Sequence, residues 1–256
     1  PPRSTLFPYT TLFRSLKFFE PGLVRALLLK NKFFKWKEGI QTLWERLAAG
    51  LDVRYSLELR EVRRGGPIVA AGIDRATGEP FRMEFDRLVL ACPLDDALSF
   101  LDASDEERDL YSRILHEDYR VYLKRARGFR VPAGFAPGRF NPSGQGRAMI
   151  WDDRVPGSGI HSFYVLADGA LSDGDIERGL DDDIRTMGGE PGETVARARW
   201  KYYPHLSCGD YRSGWYGRFE ALQGSMGTYA CGEIASFSTV ERVIRYSNEL
   251  SRRFFE

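Results

Sequence analysis

The chain has 256 residues, of which 43% are hydrophobic and 13% aromatic, enough for one large core or two smaller ones. Its 37 basic and 36 acidic residues nearly cancel, which argues against nucleic acid as a partner, and no apolar run reaches membrane-spanning length. Cys92, Cys208 and Cys231 lack metal-ligand spacing, so we expect no metal, and they cannot all pair, which favours a reducing compartment such as the cytoplasm.

Residues 1–15, PPRSTLFPYTTLFRS, fit no helical or strand period and no signal peptide. One reverse translation of them resembles a common short-read sequencing adapter over its whole length. A natural disordered tail is the alternative. We interpret residues 1–15 as adapter-derived and expect that the natural protein continues upstream of Leu16.

The first elements after this segment alternate between helical and strand periods. A stripe at helical spacing predicts a helix lying on a core and stopping near Gly50: Ile40, Leu43, Trp44, Leu47, Ala48 and Leu51. Alternation from Val53 to Leu59 predicts a strand with one covered face. A hairpin turning at Thr77 and Gly78 follows, and the run LVLAC before Pro93 predicts a strand buried on both faces.

The middle third of the chain is richer in strands. DASDEERDLYSRIL and SDGDIERGLDDDIRTMGG predict two amphipathic helices. Between and after them, YRVYL, AMIWDD, HSFYVLA and TVARARWKYY predict strands with few intervening helices. This order is typical of an antiparallel sheet in an α+β segment.

The carboxyl-terminal segment predicts a strand, a loop and a helix. TYACGE is the strand, and Ser238 to Glu241 form a capping-box pattern that predicts a helix start. The free amides of such a helix start can bind anionic or electron-rich groups.

Four segments together resemble the FAD-dependent amine oxidase superfamily, or protoporphyrinogen oxidase-like flavoproteins: WKEGIQTLWERLAAGL, VRYSLELREVRR, DRLVLACPL and GTYACGEIASFSTVE, in that order. The pattern GEIASF..VE....YS..L...FF and the motif WKYYPH are most similar to a subgroup that includes polyenoic fatty acid isomerases and cyclopiazonate dehydrogenase-like enzymes.

The resemblance implies an α/β plus α+β fold, with an incomplete Rossmann-like FAD-binding domain and an inserted substrate domain on an antiparallel or mixed sheet. It assigns 16–35 to a helical segment of the substrate domain and 36–97 to the FAD-binding domain. It assigns 98–207 to the substrate domain and 208–256 to a last FAD-binding segment. The family's G-x-G-x-x-G turn is missing, so we expect the chain alone to bind FAD poorly and to be inactive.

The resemblance also implies the residues that hold FAD. Leu59 would contact the adenine, and Ala91, Cys92 and Pro93 would form a tight turn near the cofactor. Gly232 and Glu233 would lie near the ribityl and pyrophosphate groups. Thr239, Val240 and Glu241 would open the helix that faces the flavin pyrimidine edge, where it stabilises the negative charge of reduced flavin. An ordinary core position for Leu59 and an ordinary turn at Gly232 are the alternatives.

The substrate-cavity candidates are Arg120, Trp200, Tyr202 and Trp215. The aromatic residues could instead belong to a core. Arg120 aligns where amine oxidases carry a Lys, and Thr239 aligns at their aromatic cage, so a conventional amine substrate is disfavoured. Arg120 would suit a carboxylate if it faces the cavity. No catalytic acid or base is identified.

We therefore expect a fragment of an FAD-dependent oxidoreductase or isomerase that moves hydride between a small apolar, carboxylate-bearing substrate and flavin N5. The alternatives are a non-catalytic β-rich binding module and a nicotinamide-dependent dehydrogenase. No pattern indicates an oligomeric state.

Overall fold

The computed structural model describes residues 38–129, 131, 133–153 and 157–256. The predictions for residues 1–15 and 16–35 lie outside the described residues. The described residues form two compact units: 38–112 with 220–230, here called the hairpin unit, and 113–219 with 231–256, here called the sheet unit. These units divide the chain at other points than the predicted boundaries near residues 97 and 207, and the assignment of segments to FAD and substrate domains stays a prediction.

The hairpin unit contains two small sheets. An antiparallel sheet has the order β1-β2-β3, and a parallel pair joins β4 to β10. The elements are α1 (Ile40–Ala48), β1 (Leu57–Arg63), β2 (Ile68–Asp74), β3 (Pro80–Phe85), β4 (Leu88–Leu90), α2 (Leu94–Ala97), α3 (Asp105–Tyr111) and β10 (Thr228–Ala230).

The sheet unit is built on a five-stranded sheet with the order β6-β7-β8-β5-β9, in which every pair is antiparallel as the sequence predicts. Its elements are β5 (Leu115–Arg127), β6 (Ala133–Phe135), β7 (Ile150–Asp153), β8 (Ile160–Ala167), α4 (Asp173–Thr186), β9 (Glu190–His205), α5 (Cys208–Arg212), α6 (Trp215–Ala221) and α7 (Val240–Phe254). Among the helices described, none is long and apolar enough to cross a membrane.

One face of this sheet carries the core of the sheet unit. Side chains of β5 and β8 pack there against the apolar face of α4, in a cluster of Tyr122, Ala126, Ala148, Phe163, Val165, Ala167, Ile176, Leu180 and Ile184. Asp183 of α4 is fully buried and accepts hydrogen bonds from the Ala148 amide and from the Arg139 and Arg147 guanidinium groups. These charged hydrogen bonds fasten α4 at its carboxyl-terminal end.

The hairpin is confirmed, with Gly78 at φ +79° between β2 and β3. At Gly72 of β2 an added Cβ would lie 1.9 Å from the Glu58 carbonyl oxygen, so only glycine allows β1 to approach β2 at this point. The pairing register shifts immediately beyond it, between Leu59 and Glu61.

Two packing predictions are wrong. Helix α1 forms, but none of its residues is buried, and Trp44 and Leu47 are 41% and 56% exposed. The elements that follow α1 pair with one another and leave its apolar stripe uncovered. In β4, Leu90 is buried but Val89 is 46% exposed, because this strand is short and, among the described strands, pairs only with β10.

The cap of α7 also differs from the prediction. The N-cap is Thr239, whose side chain accepts a hydrogen bond from the Arg242 amide. Ser238 instead donates to the Glu233 carboxylate at 3.0 Å. The predicted capping box is therefore wrong: the N-cap lies one residue later, and the residue three positions after it is Arg242, which has no carboxylate to complete a box.

The hairpin unit contains a buried ion-pair cluster centred on Arg64. The Arg64 side chain is fully buried and lies 2.6 Å from Asp102 and 2.7 Å from Glu107. It also donates to the Thr228 hydroxyl, and Glu107 forms the capping box of α3 with Ser104. Burial raises the pKa of Glu107, but hydrogen bonds from Arg64 and Ser104 outweigh it, and the net pKa lies below the usual range.

We expect Arg64→Met to lower the free energy of unfolding by about 3 kcal/mol, because Glu107 would stay buried without its counter-charge. Arg63→Met is the matched control: the exposed Arg63–Glu61 pair should contribute less than about 0.5 kcal/mol. Urea unfolding measures both changes. Equal losses for the two variants would contradict the role of the cluster.

We expect Thr239→Ala to destabilise the sheet unit by about 1 kcal/mol, because it removes the acceptor for the Arg242 amide. Ser238→Ala should cost less, since Ser238 is not the N-cap. Thermal unfolding compares the two variants. A larger loss of stability for Ser238→Ala than for Thr239→Ala would contradict this and support Ser238 as the N-cap.

Candidate functional site

A cavity of about 930 Å³ lies on the face of the sheet opposite α4. Its walls are mainly apolar and aromatic, and three strands supply most of them: Tyr119, Val121, Leu123, Ile160, Ser162, Tyr164, Ala196, Ala198, Trp200 and Tyr202. Ligand cavities typically measure about 300–1,000 Å³ and are mainly apolar, so this cavity has the size and chemistry of a small-molecule site.

Strand register explains which side chains reach the cavity. Val121 lies opposite Tyr164 of β8 and Ala198 of β9, and all three line the cavity. Because side chains alternate along a strand, the neighbours of Val121 point to the α4 side. Tyr122 accordingly belongs to the core cluster.

Trp200 and Tyr202, two of the predicted substrate-cavity residues, line this cavity, and their role in binding substrate stays a prediction. Arg120 does not: it is 6% exposed on the α4 side, where it pairs with Asp118 at 2.9 Å and Asp173 at 3.0 Å. The expectation that Arg120 meets a carboxylate in the cavity is therefore corrected. Successive residues of a strand point to opposite faces of the sheet, and Arg120 points to the face that carries α4 and not to the cavity.

Trp215 is also placed elsewhere. It is 1% exposed in α6 and stacks on Phe219, with ring centroids 5.1 Å apart and planes 8° from parallel. Tyr216 meets it edge-on at 5.0 Å. Trp215 is thus a core residue, in agreement with the alternative given for the aromatic candidates.

The turn before α7 borders the same cavity through Glu233. Gly232 has φ +123°, and an added Cβ there would meet no heavy atom within 4 Å. Glycine is therefore needed for the backbone conformation, and the space beside it is open. The Ser236 hydroxyl donates to the Gly232 carbonyl, and its amide donates to the Glu233 carbonyl, which fixes the turn.

Side chains cap the first turn of α7 only in part, through the hydrogen bond from the Arg242 amide to Thr239. In the described part of the chain, the amides of Val240 and Glu241 have no protein acceptor, and both residues are exposed. A helix amino terminus favours negative charge. The open space at Gly232 and these amides fit part of the flavin group that the resemblance implies.

The pKa values of Tyr202 and Glu233 are both raised at this end of the cavity. Burial raises the pKa of Tyr202, the charge of Glu233 raises it further, and a hydrogen bond from Tyr203 lowers it. Burial also raises the pKa of Glu233, although its hydrogen bond with Ser238 opposes this. Both groups therefore favour their uncharged forms more than in water.

The other cofactor candidates lie in the hairpin unit. Ala91, Cys92 and Pro93 are exposed and follow β4 directly, with Pro93 as the N-cap of α2. Leu59 is half-buried in β1, which belongs to the antiparallel sheet rather than to the β4–β10 pair. Strands β4 and β10 are parallel, so their carboxyl ends lie at the same edge, where ligands of α/β sheets commonly bind.

Tyr119 and Tyr164 also line the cavity, although neither is among the residues predicted to do so. The alternation in YRVYL contains the signal for Tyr119, but both faces of this strand carry aromatic residues, so the sequence does not say which face is open. In the described residues no group of His, Cys, Asp or Glu side chains could hold a metal ion.

No protein-family model matches the sequence, and the search of curated proteins found no match. Among solved structures, the chain is similar to a CLA-producing fatty acid isomerase from P. acnes, with a TM-score of 0.84 and 28% identity over 94% of this chain and 57% of that one. Cyclohexylamine oxidase from Brevibacterium oxydans IH-35A has a TM-score of 0.54 and 13% identity over 85% of this chain and 53% of that one.

The chain thus spans little more than half the length of either protein. The likeness to the oxidase shows the fold alone, whereas the likeness to the isomerase extends to the sequence. These findings confirm the resemblance of this chain to the flavoproteins of the FAD-dependent amine oxidase superfamily.

Proposed function

We propose that the intact protein is an FAD-dependent oxidoreductase or isomerase that moves hydride between an apolar, carboxylate-bearing substrate and flavin N5. One observation carries the proposal: the apolar cavity of the sheet unit reaches Glu233, beside the turn that the family resemblance assigns to the cofactor. A substrate-sized space and a candidate cofactor turn therefore belong to the same unit.

Flavin, when bound, supplies the hydride acceptor and donor, which no side chain can provide. Gly232 would leave room for the cofactor backbone to approach the turn. The amides of Val240 and Glu241 would stabilise negative charge on the pyrimidine edge. Leu59, Ala91, Cys92 and Pro93 would hold other parts of FAD, as the resemblance implies.

The cavity walls favour an apolar substrate. A fatty acid, the substrate type in the name of the P. acnes isomerase, has an acyl chain suited to walls such as Val121, Ile160 and Ala198. The walls would position this chain and exclude water from it. The carboxylate would need a partner other than Arg120, which is already paired with Asp118 and Asp173.

We expect Gly232→Ala to weaken FAD binding by the full-length protein about tenfold, or 1.4 kcal/mol, because the new methyl group strains the turn and fills the space beside it. Gly214→Ala is the matched control, since Gly214 also has a positive φ with open space around it but lies between α5 and α6. Quenching of FAD fluorescence on titration with each protein measures the affinities.

The wild-type full-length protein tests the proposed function through its flavin absorbance and its activity on a fatty acid. A full-length wild-type protein that purifies with the visible absorbance of flavin and isomerises or oxidises an unsaturated fatty acid supports it. A folded, colourless protein that does not quench FAD fluorescence would contradict it and favour a non-catalytic binding module.

A further inference from the structure

Strand β9 contains a β-bulge near its carboxyl end. Tyr202 lies opposite Glu117 of β5, and His205 lies opposite Leu115, so Tyr203 and Pro204 face a single residue of β5. Tyr203 has φ +50°, which is rare for an aromatic residue. The His205 Nδ1 lies 2.8 Å from the Tyr203 carbonyl oxygen and holds the bulge in place. Bulges often re-aim side chains beside functional sites.

The bulge brings two consecutive tyrosines together. In a regular strand successive side chains point to opposite faces. Here the rings of Tyr202 and Tyr203 lie 4.2 Å apart, and their centroids are 4.9 Å and 6.2 Å from that of Tyr119. The left-handed conformation of Tyr203 thus places a second ring behind Tyr202 and restricts its movement.

This aromatic group forms the end of the cavity that borders Glu233. Tyr119 and Tyr202 line the cavity, whereas Tyr203 supports them from behind. Glu233 is half-buried at this end, and its carboxylate, when ionised, would repel a second negative charge, so the carboxylate of a substrate should lie elsewhere. An uncharged, polarisable part of the substrate suits these rings better.

We propose that the bulge at Tyr203 is a positioning device, which holds Tyr119 and Tyr202 as the wall on which the unsaturated part of a fatty acid lies beside Glu233. This inference rests on the proposed function for its ligand class. It assigns specificity to Tyr119 and Tyr202 and a positioning role to Tyr203.

The test uses the full-length protein, cis-parinaric acid as a polyunsaturated probe and stearic acid as a saturated competitor. Energy transfer from tryptophan, including Trp200 in the cavity wall, reports binding of the probe. The measured quantity is the ratio of the two dissociation constants. Circular dichroism establishes that each variant is folded.

We expect Tyr203→Gly, which keeps access to positive φ but lacks the ring, to reduce the preference for the unsaturated acid about fivefold. Tyr203→Phe, which keeps the ring, should retain the preference. Tyr202→Leu should reduce it at least as much as Tyr203→Gly. Tyr55→Phe, at a tyrosine that is 68% exposed in the hairpin unit, is the control and should change nothing.

An unchanged preference in Tyr203→Gly, or an equal loss in Tyr203→Phe and Tyr203→Gly, would overturn the positioning role while leaving the proposed function intact. If the folded wild-type protein binds neither acid, the proposed ligand class fails and this inference fails with it.

Discussion

The strand pairing of β5 with β8 and β9 is the constraint on which the candidate site depends. This register sends Tyr122 into the core beneath α4 and leaves Val121 facing the opposite side of the sheet. A shift of one residue would exchange the two faces. The buried cluster under α4 therefore also decides which side chains line the cavity.

Charge distribution follows from the same pairing. Arg120 lies on the α4 side, where Asp118 and Asp173 neutralise it. The cavity on the opposite face is lined mainly by aromatic and aliphatic residues, and its lining also includes Arg197, Lys201 and Glu233. Burial raises the pKa of Glu233, whereas its hydrogen bond with Ser238 opposes this shift. The aromatic and aliphatic part of the lining suits an apolar reacting group.

Much of the fold could be predicted from the sequence, because its signals are local. The turn at Gly78, the helix α3 and four of the five strands of the sheet unit follow from short-range patterns, whereas the short strand β6 was not predicted. Packing was less predictable. The stripe of α1 has the period of a covered helix, but periodicity does not supply the surface that covers it.

In the candidate site too, some residues could be predicted from the sequence and others could not. Trp200 and Tyr202 were predicted as substrate-cavity residues and Glu233 as a cofactor residue, two roles that the sequence alone does not connect, and the structure brings all three to one cavity. Arg120 could not be placed, because both faces of its strand carry large side chains. The bulge at Tyr203 was also missed, since its φ depends on pairing with a strand that lies far away in the sequence.

A crystal structure of the full-length protein purified with FAD would show where the flavin binds. We predict the flavin ring beside Gly232 and the first turn of α7, with the cavity of the sheet unit opening towards it. FAD bound elsewhere, or protein side chains filling the space at Gly232 and covering the amides of Val240 and Glu241, would contradict it.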